Sequence, residues 1–167
     1  IFLIFFFNYK PFQKSVMSYI IIMKKSKALL GAGCFWGIEE YFRKIDGILK
    51  IAVGYSGGIT ENPTYEKVCG GNTGHAEVII IEFDEIIVSY ENLLEHFWNI
   101  HDPTTLNRQG PDVGNQYRSV IFYFSEKQKK IAEKSKSDNQ KKFNNNIVTE
   151  IKEAEKFFKA EEYHQQF

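Results

Sequence analysis

Cysteine is scarce. Cys34 and Cys69 are the 2 cysteines in 167 residues. That scarcity excludes a secreted scaffold stapled by disulfides and suits a reducing compartment, the cytoplasm. Net charge is missing too, because 21 lysines and arginines face 21 aspartates and glutamates. Without a field of one sign, nothing argues for nucleic acid or a membrane surface as partner, and a small uncharged or peptide substrate fits better. The opening run Ile1 to Phe7 is apolar, but Asn8, Lys10 and Pro11 end it well short of a membrane span. No basic residue precedes it, so it lacks the layout of a secretory signal as well. Internal repeats are absent. Cys34, His75, Glu77 and His101 do not have the close ligand spacing of a zinc motif, which argues against a bound metal.

What is present suits one domain, since 167 residues can bury most of their apolar surface in a single core. The chain opens on Ile1, while Met23-Lys24-Lys25-Ser26-Lys27 reads as a natural start ahead of the first strand. Residues 1–22 are therefore expected to be an unstructured upstream extension, and residues 23–167 a single domain acting as a monomer.

The chemistry gathers at Gly31-Ala32-Gly33-Cys34-Phe35-Trp36-Gly37. Lys27 to Leu30 reads as the end of a strand, and Ile38, Tyr41, Phe42 and Ile45 recur at helical spacing, which sets Cys34 at a helix's first turn. The positive end of a helix dipole favours a thiolate, so the thiol is expected to ionise below its ordinary range of roughly 8.5 and act as a nucleophile. The plainer alternative is a structural cysteine packed among aromatic rings.

The remaining elements follow in order. The first helix should end near Asp46-Gly47, where glycine can take a left-handed cap. Ile48 to Gly54 reads as a strand, and a long connection from Gly57 to Gly74 carries Tyr65 and Cys69. A connection of that length usually means a functional loop. His75 to Phe83 alternates as a strand that puts Glu77 on the face of Ile79, Ile81 and Phe83, where a carboxyl should hold its proton to higher pH. The alternative for Glu77 is an edge-strand charge facing water. Ser89 caps the next helix, with Val88 and Leu93 as a hydrophobic staple, and that helix ends near His101-Asp102-Pro103. A second long loop, Thr104 to Gln116, carries Asp112 and leads to Tyr117. Arg118 to Phe124 reads as a strand. Ser125 and Gln128 form a capping box for a lysine-rich helix to about Lys142. Asn144 to Asn146 should turn the chain into a last strand, Ile147 to Ile151. The first six elements fit an α+β fold of ferredoxin-like βαββαβ type, a two-layer sandwich with a mostly antiparallel sheet, long catalytic loops and extra C-terminal elements.

Gly33-Cys34-Phe35-Trp36-Gly37, Gly54-Tyr55-Ser56-Gly57-Gly58, Asn62-Pro63-Thr64-Tyr65, Thr73-Gly74-His75-Ala76-Glu77, His101-Asp102-Pro103-Thr104 and the run from Arg108 to Ser119 together resemble the type A peptide methionine sulfoxide reductases, over roughly residues 27 to 167. The resemblance implies that the thiolate at Cys34 attacks the sulfur of a methionine S-sulfoxide, free or in oxidised proteins, leaving methionine and a cysteine sulfenic acid. It makes Glu77 the acid that protonates the leaving oxygen, Tyr65 and Tyr117 the hydroxyls that bond it, and Phe35 and Trp36 the wall for the S-methyl group. Asp112 becomes a polar partner of substrate and the Cys34 region. Without the resemblance, the tyrosines read as amphipathic packing residues. Cys34 with His101 and Asp102 also suggests a cysteine hydrolase, but adjacency of the last two in sequence does not orient either.

Many members of the family carry resolving cysteines after the Tyr-His-Gln-Gln stretch, whereas here no cysteine follows Cys69. The implication is that no cofactor is bound and that an external thiol reduces Cys34: thioredoxin, glutaredoxin or glutathione, or dithiothreitol in vitro. Cys69 matches a position not generally assigned to recycling. A second reading, motivated by the missing tail and the odd start, is a degenerate thiol protein that senses oxidants without turnover.

Overall fold

In the computed structural model, which describes residues 23–144 and 146–167, the first strand is buried on both faces. β1 (Lys25–Ala32) turns Ala28, Leu30 and Ala32 to one side and Leu29 to the other, all at most 4 % exposed. A strand covered on both faces belongs at the centre of a sheet. The remaining strands are β2 (Ile48–Ser56), β3 (Ala76–Asp84), β4 (Arg108–Gln109), β5 (Asp112–Val113), β6 (Ser119–Tyr123), β7 (Glu150–Glu153) and β8 (Phe158–Lys159). The main sheet runs β7-β6-β1-β3-β2-β8, and β4 and β5 form a separate small hairpin. Neighbours in the main sheet are antiparallel except β6 and β7, so the protein is a mixed α/β structure on a mostly antiparallel sheet.

Among the described residues four helices accompany the strands: α1 (Phe35–Phe42), α2 (Tyr65–Cys69), α3 (Tyr90–Ile100) and α4 (Glu126–Asn139). Ile38 and Phe42 of α1, Leu93, Leu94, Phe97 and Trp98 of α3 and Ala132 of α4 share one buried cluster with Ile79, Ile81 and Phe83 of β3. Three helices therefore cover one face of the sheet. The other face holds a smaller cluster, Leu29, Val78, Val120 and Phe122, with Ala154 and Phe157 of the C-terminal segment packed against it.

Local signals placed most of these elements. Ser89 caps α3 by accepting the Asn92 N–H at 3.1 Å, and Val88 and Leu93 are both buried at its start. At α4, Ser125 accepts the Gln128 N–H, but the return bond differs from the expected box. The Gln128 carboxamide oxygen takes the Phe124 N–H at 2.8 Å, and its nitrogen donates to the Lys27 carbonyl at 2.7 Å, tying the helix to β1.

Several expected boundaries shift. α1 stops at Phe42, before the expected Asp46-Gly47, and Gly47 does take a left-handed φ of 93°. α4 gives way at Asn139 to a 3-10 turn, Gln140–Phe143. The last long strand sits at Glu150–Glu153 instead of 147–151, because the Ile147 and Val148 amides bond Gln140 and Pro103 instead of a strand. α2 and β8 went unanticipated, being too short for any periodicity to register. The proposed extension at residues 1–22 lies outside the described residues, as does Asn145 of the expected turn.

Candidate active site

Gly33 holds a φ of +98°, and a side chain there would meet Gln109 Cγ at 2.6 Å, so the chain turns into α1 hard against the second long loop. Cys34 is the N-cap residue of α1 but makes no side-chain capping bond. The capping acceptor comes from β3: Glu77 Oε2 accepts the Phe35 N–H at 3.0 Å. Glu77 is 1 % exposed and on the face of Ile79, Ile81 and Phe83, so it is no edge charge facing water. Thiol and carboxyl thus converge on one helix end.

Burial and neighbouring charge decide the protonation of both groups. Burial lifts the Glu77 carboxyl from its ordinary 4.5 to about 7; the Phe35 amide opposes this and the Asp112 charge adds to it. The Cys34 thiol is raised, not lowered. Burial dominates, the nearby amides of Trp36 and Gly37 pull the other way, and the carboxylates of Glu77 and Asp112 add to the rise. The expectation of a dipole-lowered thiol is overturned, since desolvation and two nearby negative charges outweigh one short helix.

The two long loops meet beside this end of the sheet, where Asn115 Nδ2 donates to the Gly71 carbonyl at 3.0 Å. Tyr65 opens α2 and Tyr117 ends a 3-10 turn, Asn115–Tyr117. Both are half-buried and both phenols stay neutral at pH 7. Tyr65 is raised chiefly by its hydrogen bond to Cys69, and Tyr117 is pushed up to about 12 by burial and then by the charges of Glu77 and Cys69. Cys69, at the end of α2, lies against the Tyr65 hydroxyl. Asp112 sits on β5 and, with Cys34, Ala32, Ile38, Ile100 and Pro111, lines an open groove of about 540 Å³. Phe35 is fully buried against Tyr55, with ring centroids 5.9 Å apart, whereas Trp36 is partly exposed. His101 is half-buried, with its Nδ1 2.7 Å from the Phe97 carbonyl and its Nε2 2.7 Å from the Ser119 hydroxyl, and desolvation holds it neutral, at about 4. Both ring nitrogens are thus engaged by partners other than Cys34, which argues against the cysteine hydrolase arrangement. Among the described residues no group of three His, Cys, Asp or Glu side chains is placed to hold a metal ion.

Sequence reasoning gave no role to Glu161, His164 or Phe167. Glu161 accepts the Tyr55 hydroxyl at 3.0 Å and the Tyr65 N–H at 2.9 Å, so it anchors the start of α2. His164 Nδ1 accepts the Trp36 indole N–H at 3.1 Å, and Phe167 stacks on the same indole at 4.1 Å. The only signal was a cluster of polar and aromatic residues near the chain end, with no spacing that points at residue 36.

Comparison with known proteins gives one consistent answer. A sequence model for "Peptide methionine sulfoxide reductase" matches residues 26–167. The peptide methionine sulfoxide reductase of Methanothermobacter thermautotrophicus is 57 % identical over 148 residues, which is 87 % of this chain and 88 % of that one. Reduced Mxr1 of Saccharomyces cerevisiae superposes with a TM-score of 0.83 at 41 % identity, covering 86 % of this chain and 83 % of Mxr1. Mxr1 in complex with Trx2 matches with a TM-score of 0.64 at 31 % identity, covering 84 % of each chain.

Proposed function

The chain belongs to the peptide methionine sulfoxide reductase family, and from that premise we propose that the helix end shared by Cys34 and Glu77 is where a sulfoxide loses its oxygen. The protein is an oxidoreductase that converts methionine sulfoxide to methionine with electrons from thiols.

The Cys34 sulfur attacks the sulfoxide sulfur, and its proton passes to Glu77. Glu77 delivers a proton to the sulfoxide oxygen, which is a poor leaving group until it gains one. The transient bond between the two sulfurs and the S–O bond of the substrate then break as the hydroxyl passes to the Cys34 sulfur, so that methionine departs and Cys34 is left as a sulfenic acid. Tyr65 and Tyr117 donate to the oxygen as charge develops on it. Trp36, backed by Phe35, faces the S-methyl group and gives preference for the S epimer, and Asp112 orients the substrate from the rim of the groove. Two external thiols then reduce the sulfenic acid, yielding water and their own disulfide. A dithiol of the thioredoxin kind suits this step, as Trx2 does for Mxr1. No cofactor or metal enters the scheme. One chain supplies thiol, acid and hydroxyls, so a monomer suffices, and two unpaired cysteines suit a reducing cytoplasm. The strands β6-β1-β3-β2 with α1 and α3 read as a ferredoxin-like core within the domain of residues 23–167.

The observation that carries this reading is the buried, readily protonated Glu77 bonded one residue from Cys34. Incubation with a methionine sulfoxide peptide is expected to release methionine with loss of one thiol per chain, and dithiothreitol to sustain turnover; absence of both would overturn it. Cys34→Ser should abolish the activity, while Cys69→Ser with dithiothreitol should change it less than about threefold, the loss of one weak hydrogen-bonding partner. Equal losses in the two variants would put Cys69 in the redox cycle. A sensing thiol without turnover is not favoured, given relatives that bear the reductase name at this level of identity.

A further inference from the structure

The groove beside Cys34 is larger than the chemistry needs. Its volume is about 540 Å³, whereas the five heavy atoms of a methionine sulfoxide side chain would take roughly 150 Å³ even at water's share of ~30 Å³ each. The lining is mostly apolar: Ala32 and Ile38 are buried, Ile100 is half-buried and Pro111 is exposed at the second long loop. Among the described residues that line it, Asp112 is the single acidic one and none is basic. Glu77, Tyr65, Tyr117 and Trp36 do not line it, so it is space that the proposed chemistry leaves unused.

Gly37 has no structural reason to be glycine. It lies within α1, it is exposed, its φ is outside the left-handed region, and a Cβ there would meet no atom within 4 Å. Alanine would fit without strain and would favour the helix, because glycine inside a helix is unfavourable. What glycine keeps free is the groove surface over the first turn of α1, on the same helix face as Tyr41 one turn further on. Cys34 and Tyr41, both in the lining, are seven residues apart, which is about 10 Å along a helix. An extended peptide advances about 3.3 Å per residue, so about three residues span that length.

We propose that this groove is a subsite for the polypeptide that carries the oxidised methionine: about three residues on one side of the sulfoxide lie extended over Gly37, with apolar side chains against Ile38, Ile100 and Pro111. This rests on the reductase reading, since the groove is assigned by its continuity with the Cys34 thiol. Asp112 makes acidic flanking residues unwelcome there, because like charges brought together repel. Gly37 is then a specificity-determining residue, and its absent side chain favours extended substrates over free methionine sulfoxide.

Single-turnover methionine release without added reductant, on N-acetylmethionine sulfoxide amide and on peptides lengthened by one to four leucines or aspartates at either end, tests this. The ratio of limiting rate to half-saturation should climb at least about tenfold over the first three leucines on one side and then level off. Aspartate in place of leucine on that side should lower it roughly five- to tenfold. Gly37→Leu should cut the preference for the longest leucine peptide over the unextended amide by about tenfold or more, and Gly37→Ala by less. Both variants should melt at or above the parent's temperature; a lower melting temperature for Gly37→Ala would mean that the fold itself needs the glycine and would overturn the proposal. A series flat with length, or a preference untouched in Gly37→Leu, would overturn it too. An effect of Gly37→Leu confined to multiple turnovers with thioredoxin would give the groove to the reductant instead and count equally against it. If the parent released no methionine from any of these, the reductase reading would fail separately. The Gly37 and Tyr41 amide resonances, moved by the long leucine peptide and not by the unextended amide, would still report whether the groove takes a polypeptide.

Discussion

Glu77 and Cys34 share a helix end, and their protons have to be counted together. The proposed reaction needs a thiolate and a carboxylic acid, which is the same total charge as a thiol and a carboxylate. With Glu77 at about 7 and Cys34 raised, the pair holds one proton between those two values, most often on sulfur. The reactive arrangement is the minor partner of that equilibrium, so kcat/KM should rise through about pH 7, level off, and fall once the thiol ionises. Glu77→Gln keeps an acceptor for the Phe35 N–H but has no proton to give. Methionine release should drop by roughly 10²–10⁴-fold, and the limb near pH 7 should disappear from the rate profile. The same substitution bears on stability. A carboxyl whose folded pKa is raised from 4.5 to about 7 supports the fold below the lower value and loses that support as pH climbs to the higher one. The span corresponds to about 3 kcal/mol at most, so Glu77→Gln should resist urea better than the parent at pH 8 and lose most of that advantage at pH 5. An equal difference at both pH values would mean that the carboxyl is not strained by ionisation.

The loop from Gly57 to Gly74 is an element in its own right because its base is closed by backbone. Ile59 N–H donates to the Thr73 carbonyl at 2.9 Å, and Gly58 N–H donates to His75 Nδ1 at 3.1 Å, which leaves His75 Nε2–H to donate to the Thr60 carbonyl at 2.8 Å. Gly58 is required there: a Cβ would stand 2.4 Å from the His75 nitrogen and 2.5 Å from the Thr73 oxygen, both backbone atoms that cannot rotate away. Gly58→Ala should therefore destabilise the fold by roughly 1–3 kcal/mol. It should also weaken sulfoxide reduction, since Tyr65 and Cys69 ride on that loop. A thermal melt and a single-turnover assay would check the two effects. The loop's length and composition marked it as functional, but the five-residue α2 inside it depends on Glu161, 96 positions away, accepting the Tyr65 N–H. Elements fixed by such distant partners escape a local reading. α3 did not escape it, because its cap, its staple and its apolar stripe all lie within one stretch.

For the molecule as a whole, the C-terminal segment is the brace. Gln165 stands in for a strand residue on the edge of β2: its side-chain oxygen accepts the Val53 N–H at 3.0 Å and its nitrogen donates to the Val53 and Ala160 carbonyls at 3.1 and 3.0 Å. Val53 is fully buried, so Gln165→Ala leaves its N–H unpaired and should lower stability by about 1–3 kcal/mol. Loss of hydrogen-exchange protection at the Val53 amide would locate the effect, and retained protection would refute it. One step further along, the Gln166 N–H donates to Glu39 of α1 at 2.7 Å, so the brace reaches the helix that carries the thiol.

By itself the sequence determined the central strands, the capped α3, the thiol turn and the alternation that buries Glu77 with Ile79 and Ile81, because each is written in spacing of a few residues. Tertiary structure alone decided three things: that the Cys34 thiol is raised, that Cys69 lies against the Tyr65 hydroxyl, and that the His164 imidazole accepts the Trp36 indole N–H. Each depends on burial or on a partner from another part of the fold. Desolvation and hydrogen bonds of that kind do not exist until the sheet brings distant segments together.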